Sequence, residues 1–306
     1  MTVRAAGFGT SLPEKILTND DLATMMDTND EWIRARAGIG ARHVGGVTSQ
    51  MSIEAGANAL KDADLSPTDI DLLVLCTSTP DQRLPATSAV VQSALGLKCG
   101  AFDVNAVCAG FTYGYVTAYG LMNAPSGPDR VLLIGADALS PLVDWTDRGT
   151  AILFGDGAAA VVLEKHEQGE LLAFDLGADG NLQSILYCDH DGQIQMEGRE
   201  VFKKAVRAVT QSVENVLQKA GVEPGEVDVV LPHQANIRII DAVAQRIGID
   251  MDRNVTVLET TGNTSGASIP LAMAKANEEG LLEPGKLVLM AGFGAGMAWA
   301  SAVVRW

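Results

Sequence analysis

Short, nearly unbroken apolar runs punctuate the chain: IDLLVLC at 70–76, VLLIG at 131–135, VDVVL at 227–231 and LVLMA at 287–291. Between them lie stretches whose apolar residues recur every three or four positions, the spacing of a helix with one buried face. The pattern predicts strand, helix, strand, helix, strand over 70–76, 86–95, 101–105, 108–122 and 131–135. The same order is predicted over 227–231, 235–247, 254–258, 264–279 and 287–291. Strands alternating with amphipathic helices imply mostly parallel sheets covered by helices. The last strand of each set runs on into a partner that reads as antiparallel, FGDGAAAVVLE at 154–164 and GAGMAWASAVVRW at 294–306. The uncharged stretch LVLMAGFGAGMAWASAVV at 287–304 has the length of a membrane span, but glycines at 292, 294 and 296 divide it into strand, tight turn and strand.

The two sets are copies. ALKDADLSPTDIDLLVL (59–75) and VLQKAGVEPGEVDVVL (216–231) align Pro67 with Pro224 and Asp71 with Asp228, about 157 positions apart, and RVLLIGA (130–136) aligns with KLVLMAG (286–292) at about 156. The expected fold is therefore a duplicated α/β sandwich with halves at 1–165 and 166–306. In open α/β sheets functional groups collect beyond the carboxyl ends of strands. Cys108, in DVNAVCAGF, holds that place in the first half at a helix start. The repeat offset from it lands near Gly262-Asn263-Thr264-Ser265, and His233, in LPHQAN, follows the first strand of the second half. Halves packed about a pseudo-twofold axis bring the three together. A helix start lowers a thiol pKa, an imidazole can serve as acid, base or donor, and a carboxamide can donate to an oxyanion. The bland alternatives, a buried core thiol and a structural histidine, stay open on the residues alone.

Charge narrows the partners. Among 306 residues, 22 Lys and Arg face 38 Asp and Glu, a formal charge of −16, which argues against general binding to nucleic acid or anionic membranes. Any anionic ligand needs a local basic patch. The first ten residues, MTVRAAGFGT, lack a signal pattern, and the cysteines at 76, 99, 108 and 188 form no CxxC pair, so free thiols and a cytoplasmic setting are expected. No metal site is expected: Asp189, His190 and Asp191 in CDHDG are consecutive and diverge. His43, His166 and His190 are expected to be solvated.

DVNAVCAGF, FGDGAAA, LPHQANIRII, GNTSGASIP and GFGAGMAWASAVVRW, together with GFGTSLPEKILTNDDL and DTNDEWIRARAGI, resemble end to end the β-ketoacyl-acyl carrier protein synthase III family, the initiating condensing enzymes of fatty-acid synthesis. The resemblance implies a thiolase-like αβαβα sandwich, a homodimer, and no cofactor beyond acyl-CoA as substrate. It implies that Cys108 takes the acyl group from acyl-CoA. His233 and Asn263 would stabilise the enolate formed when malonyl-acyl carrier protein loses CO2, and the backbone N–H groups of Cys108 and Ala295 would form an oxyanion hole. Ala295 stands where many relatives carry glycine. CoA would contact Thr28, Trp32, Arg36, Arg148, Asn236 and Phe293, and the acidic carrier protein would dock on Lys203, Arg207, Arg238 and Arg246. Val107 and Leu84 would shape the acyl pocket, Leu84 reaching in from the partner. A leucine there, aromatic in acetyl-selective relatives, favours longer or branched primers. The segment 180–195 is shorter than in familiar bacterial relatives and reshapes the tunnel mouth.

Three rivals remain at this stage. An acyltransferase of the same fold would load a carrier or a small molecule without condensing. A cysteine thioesterase is suggested by AVCAG, one glycine short of a hydrolase elbow, although a hydrolase has no reason to repeat its strand order. A non-catalytic binding role is the third.

Overall fold

The structure, a computed structural model, describes residues 2–167 and 169–306. Five strands form the first sheet: β1 (Thr2–Ser11), β2 (Leu72–Cys76), β3 (Gly100–Val104), β4 (Arg130–Ala138) and β5 (Asp156–His166), in the order β1-β5-β4-β2-β3. The second sheet has β6 (Glu170–Ala178), β7 (Val229–Pro232), β8 (Leu287–Gly294) and β9 (Ala298–Arg305), in the order β6-β9-β8-β7 when read from the same side. The order of the first four strands is thus repeated. So is the register: Leu72 faces Val131 in a parallel pair, and about 157 residues on Val229 faces Val288 in another. The apolar stretch at 287–304 forms two antiparallel strands, as its glycines predict. Among the described residues no helix is long and apolar enough to cross a membrane.

One expected strand is missing. Of residues 254–258 only Asn254 makes a bridge, to Val230, and Leu258 opens a short helical turn. Side chains take the backbone groups a ladder would need. Gln234 Oε1 accepts the Val257 N–H at 3.1 Å, and Lys275 Nζ donates to Thr256 O at 2.9 Å.

Helices α1 (Asp30–Ala37), α2 (Thr48–Asp62), α3 (Thr87–Leu95), α4 (Gly110–Met122), α5 (Gly198–Ala220), α6 (Ile237–Ile247) and α7 (Ser268–Glu278) complete the framework. Strand alternation decides which of them each residue meets. In β2, Leu73 and Leu75 face α2 and α3 on the outside of the first sheet, whereas Val74 and Cys76 face inward. That inner core joins Phe111 and Tyr115 of α4 and Ile269 and Met273 of α7 to Val74 and Leu133 of one sheet and Leu231 and Met290 of the other. On the far side, Val209, Val213 and Val216 of α5 and Ile239 and Val243 of α6 cover the second sheet. The layers run helix, sheet, helix, sheet, helix. With both faces covered, the central strands read as continuous apolar runs, and each wholly buried Leu or Val stabilises the fold by about 1.5–3 kcal/mol.

The four cysteines are free, Cys76 and Cys108 buried and Cys188 exposed. His190 is exposed. His43 departs from expectation: it is half-buried, with Nδ1 donating to Pro13 O at 2.6 Å.

Candidate active site

The nucleophile position is built by a strained turn. After β3, Asn105 Oδ1 accepts the Val107 N–H at 3.2 Å, and Val107 is held at a φ of 49°. This left-handed conformation costs a β-branched residue about 1–3 kcal/mol. A 3-10 turn, Val107–Ala109, then enters α4, and Cys108 on that turn lines a cavity of about 1240 Å³. The helix start alone predicts a lowered thiol pKa; burial reverses the outcome. It pushes Cys108 up to about 12, the Ser265 hydroxyl easing the penalty and the Asp137 carboxylate adding to it. The resting group is a thiol.

His233 and Asn263 reach the same cavity from the second half. His233 follows β7, its N–H bonded to Ala291 O at 2.8 Å and its ring edge-on to Phe293 at 5.5 Å. Burial pushes its pKa down to about 3, so the ring is neutral. Ser268 Oγ lies 2.7 Å from Nδ1 and also accepts the Gln234 N–H at 3.3 Å. When the hydroxyl donates to Nδ1, Nε2 carries the hydrogen on the side left for the cavity. Asn263 is fixed at both ends of its peptide, N–H to Leu153 O at 2.8 Å and C=O from Gly155 N at 3.0 Å. Its Oδ1 accepts the Ser265 N–H at 2.9 Å. With that oxygen taken, the NH2 end is the group it can offer. Two neutral, preoriented donors thus line the cavity that holds a thiol.

Gly294 lets the β8 backbone pass close beside that thiol. A Cβ there would sit 2.7 Å from the Cys108 N and 3.0 Å from the Val107 Cβ. Ala295 follows it on the cavity wall. The Cys108 nitrogen borders this spot, and a backbone N–H beside a reacting carbonyl is a group that can stabilise an oxyanion.

The family models for the 3-oxoacyl-[acyl-carrier-protein] synthase III family match residues 102–180 and, for its C-terminal part, 217–306. The chain is 44% identical to the β-ketoacyl-[acyl-carrier-protein] synthase III 1 of Bacillus anthracis, covering 100% of this chain and 99% of that one. It is 45% identical to the synthase III of Cereibacter sphaeroides, covering both chains in full. The chain belongs to this family. Among solved structures, the 3-oxoacyl-[acyl-carrier-protein] synthase III of Aquifex aeolicus superposes with a TM-score of 0.97 at 42% identity, covering 99% of this chain and 100% of that one. The priming β-ketosynthase of the R1128 polyketide pathway gives 0.93 at 32% identity, covering 99% and 96%. The layered architecture is the thiolase-like sandwich of the synthase III enzymes.

Of the residues expected from family resemblance, Trp32, Arg36, Arg148, Asn236, Phe293, Lys203, Arg238 and Val107 line the cavity; Thr28, Leu84, Arg207 and Arg246 do not. Thr28 is half-buried, its Oγ1 without a hydrogen-bond partner among the described residues. Arg207 and Arg246 are exposed on α5 and α6, and Leu84 is 86% exposed. The Trp32 ring carries the guanidinium of Arg148 at 4.6 Å and that of Arg36 at 4.8 Å, and Arg148 also donates to Asp27 O at 2.8 Å. Asn236 spends its Oδ1 capping α6 through the Arg238 N–H at 2.9 Å. Sequence reasoning missed Arg199, which joins Arg36, Arg148, Lys203 and Arg238 in a lining that holds no acidic residue. Leu186, Tyr187 and Ile194, within the 180–195 segment expected to shape the tunnel mouth, also line the cavity, and sequence reasoning missed Ser268, whose partner His233 lies 35 positions away.

Proposed function

We propose that the chain carries out the synthase III reaction at Cys108, His233 and Asn263, condensing an acyl-CoA primer with malonyl-acyl carrier protein to give 3-oxoacyl-acyl carrier protein and begin fatty-acid synthesis. One observation carries the residue assignment: a thiol from the first half and two neutral donors from the second line one cavity. Cys108 attacks the acyl-CoA thioester, and its proton leaves with the CoA sulfur. The oxyanion is held by the N–H groups of Cys108 and Ala295. The malonyl thioester oxygen then accepts from His233 Nε2–H and the Asn263 NH2, its carboxylate departs as CO2, and the enolate attacks the acyl-Cys108 carbonyl; the C–S bond breaks, and the released Cys108 thiolate takes up a proton from solvent. Donors that are neutral and already oriented favour a developing oxyanion over the ground-state carbonyl without reorganising, the source of transition-state selectivity.

The basic lining suits both substrates' phosphates and an acidic carrier on a chain of net charge −16. In the CoA reading, adenine enters between Trp32 and Arg148. Their 4.6 Å separation is too small for an inserted ring, so the guanidinium must give up Asp27 O as CoA arrives. Thr28 supports that site from its edge, and Lys203, Arg207, Arg238 and Arg246 form the carrier-docking face on α5 and α6. The exposed Leu84 fits a homodimer in which it closes the partner's acyl pocket beside Val107. No step requires a cofactor.

Acyl transfer without condensation is the second reading. It leaves the paired donors without a task, since thioester exchange forms no enolate. Incubation with acyl-CoA and malonyl-acyl carrier protein, following CO2, separates them. Release that depends on Cys108 supports condensation, and acylated carrier without CO2 rejects it.

A further inference from the structure

The duplication that builds the active site also leaves a counterpart position, and that position is filled. Val107 and Ser265 share a φ of 49°. Each follows an asparagine two residues earlier whose Oδ1 accepts its N–H, at 3.2 Å from Val107 and 2.9 Å from Ser265. Each opens a 3-10 turn leading into a central helix. In this correspondence Cys108 matches Gly266, and the strand register that pairs β4 with β8 matches Asp137 to Gly294.

Gly294 places no side chain against the Cys108 N–H, where a Cβ would lie only 2.7 Å from that nitrogen. Its counterpart does the opposite. The Asp137 side chain is wholly buried, and its Oδ2 accepts the Gly266 N–H at 2.8 Å. Its Oδ1 accepts the N–H groups of Ser78 at 2.7 Å and Thr79 at 3.1 Å, and the hydroxyls of Thr77, Ser78 and Thr79 at 3.2, 2.9 and 3.0 Å. Among the described residues it forms no ion pair.

We propose that Asp137 is a buried acidic side chain seated in the disused counterpart of the oxyanion hole, and that it is a positioning residue for condensation, holding the Gly266 N–H and with it the turn that presents Asn263. The inference rests on the role given to Asn263 above. Because both carboxylate oxygens accept backbone N–H groups, an amide cannot replace it: its NH2 must face one of them.

The test compares Asp137→Asn, Gly266→Ala and Asn263→Ala in two assays, acylation of Cys108 by intact mass and CO2 release from malonyl-acyl carrier protein. Gly266→Ala leaves Asp137 in place but puts a Cβ 3.1 Å from its Oδ2, so it decides the matter if Asp137→Asn does not fold. Expected is acylation within about threefold of wild type and CO2 release down at least about tenfold in all three. Asp137→Asn should also speed alkylation of Cys108 by iodoacetamide, since a negative neighbour of the sulfur is removed. A purely structural role would lower both half-reactions together, and that result overturns the proposal. So does CO2 release within about twofold of wild type in the folded Asp137 and Gly266 variants while Asn263→Ala is impaired. If Asn263→Ala itself releases CO2 normally, the role of Asn263 falls and this inference falls with it.

Discussion

Burial leaves Cys108 and His233 both uncharged at rest, one by raising a pKa and the other by lowering it. For His233 this fixes a pH dependence of stability. The unfolded chain takes up a proton below the ordinary value of 6.5, and the folded one resists until about 3. In that window the unfolded state binds more protons, so stability falls as pH falls, by up to about 1.4 kcal/mol per pH unit from this one group. Urea midpoints of wild type and His233→Asn should therefore converge as the solution is acidified through the window; parallel curves would mean a charged histidine in the fold. Ser268 supplies the tautomer. Ser268→Ala removes the hydroxyl that orients Nδ1, and CO2 release should drop about 10- to 100-fold with Cys108 acylation little changed, as single-turnover assays of each step would record. Cys108, His233 and Asn263 could be picked out as candidates because the repeat marks their positions; Cys108 and His233 follow strands, whereas Asn263 follows the helical turn that opens at Leu258. Ser268 and Asp137 could not, because what marks them is a contact across 35 positions in one case and 129 in the other.

Register is what turns two copies of a strand order into one site. β8 must deliver Gly294 beside the Cys108 N–H at the moment the chain turns back into β9, and no side chain fits there. Gly294→Ala should fold, since the clash is local, yet lose at least about a hundredfold in acylation rate, measured as the first-order appearance of acyl-enzyme mass. Within 70–135 and 227–291 nearly every element was readable from apolar periodicity, because central strands buried on both faces and helices with one apolar stripe leave distinct patterns; β1 and β6 lie outside those spans and were not predicted. The exception, 254–258, has a strand's composition. Gln234 and Lys275, both distant in sequence, take its backbone groups and stop the ladder after Asn254. Side-chain capture of this kind leaves no periodic signal. The turn of Val107, strained and β-branched, was equally silent, since only its φ reveals it.

Taken whole, an acidic chain gathers five of its 22 basic residues in one cavity lining that holds no acidic side chain. Arg36, Arg148, Arg199, Lys203 and Arg238 line one cavity while the molecule carries −16. Raising salt should weaken carrier-protein binding and leave the acyl-enzyme's intrinsic reactivity untouched. In the proposed homodimer, Leu84 and Val107 would set primer choice. The wild-type enzyme should prefer branched primers or those of about four to eight carbons to acetyl-CoA, and Leu84→Phe should move the kcat/KM ratio about tenfold toward acetyl. A panel in which acetyl-CoA leads with the natural residue would reject that reading. The duplicated layers and the family were visible in the sequence, which also offered Cys108, His233 and Asn263 as candidates for the site. The conformation of Arg148 on Trp32 and the path of 180–195 over the cavity were not, because both depend on packing between residues far apart in the chain. The most direct measurement is intact-mass analysis after exposure to mixed acyl-CoAs, followed by addition of malonyl-acyl carrier protein. One acyl group should appear on Cys108, be absent from Cys108→Ala, and disappear with stoichiometric CO2 as the 3-oxoacyl carrier forms. An acyl group on another residue, or its loss as free acid without CO2, would contradict the mechanism.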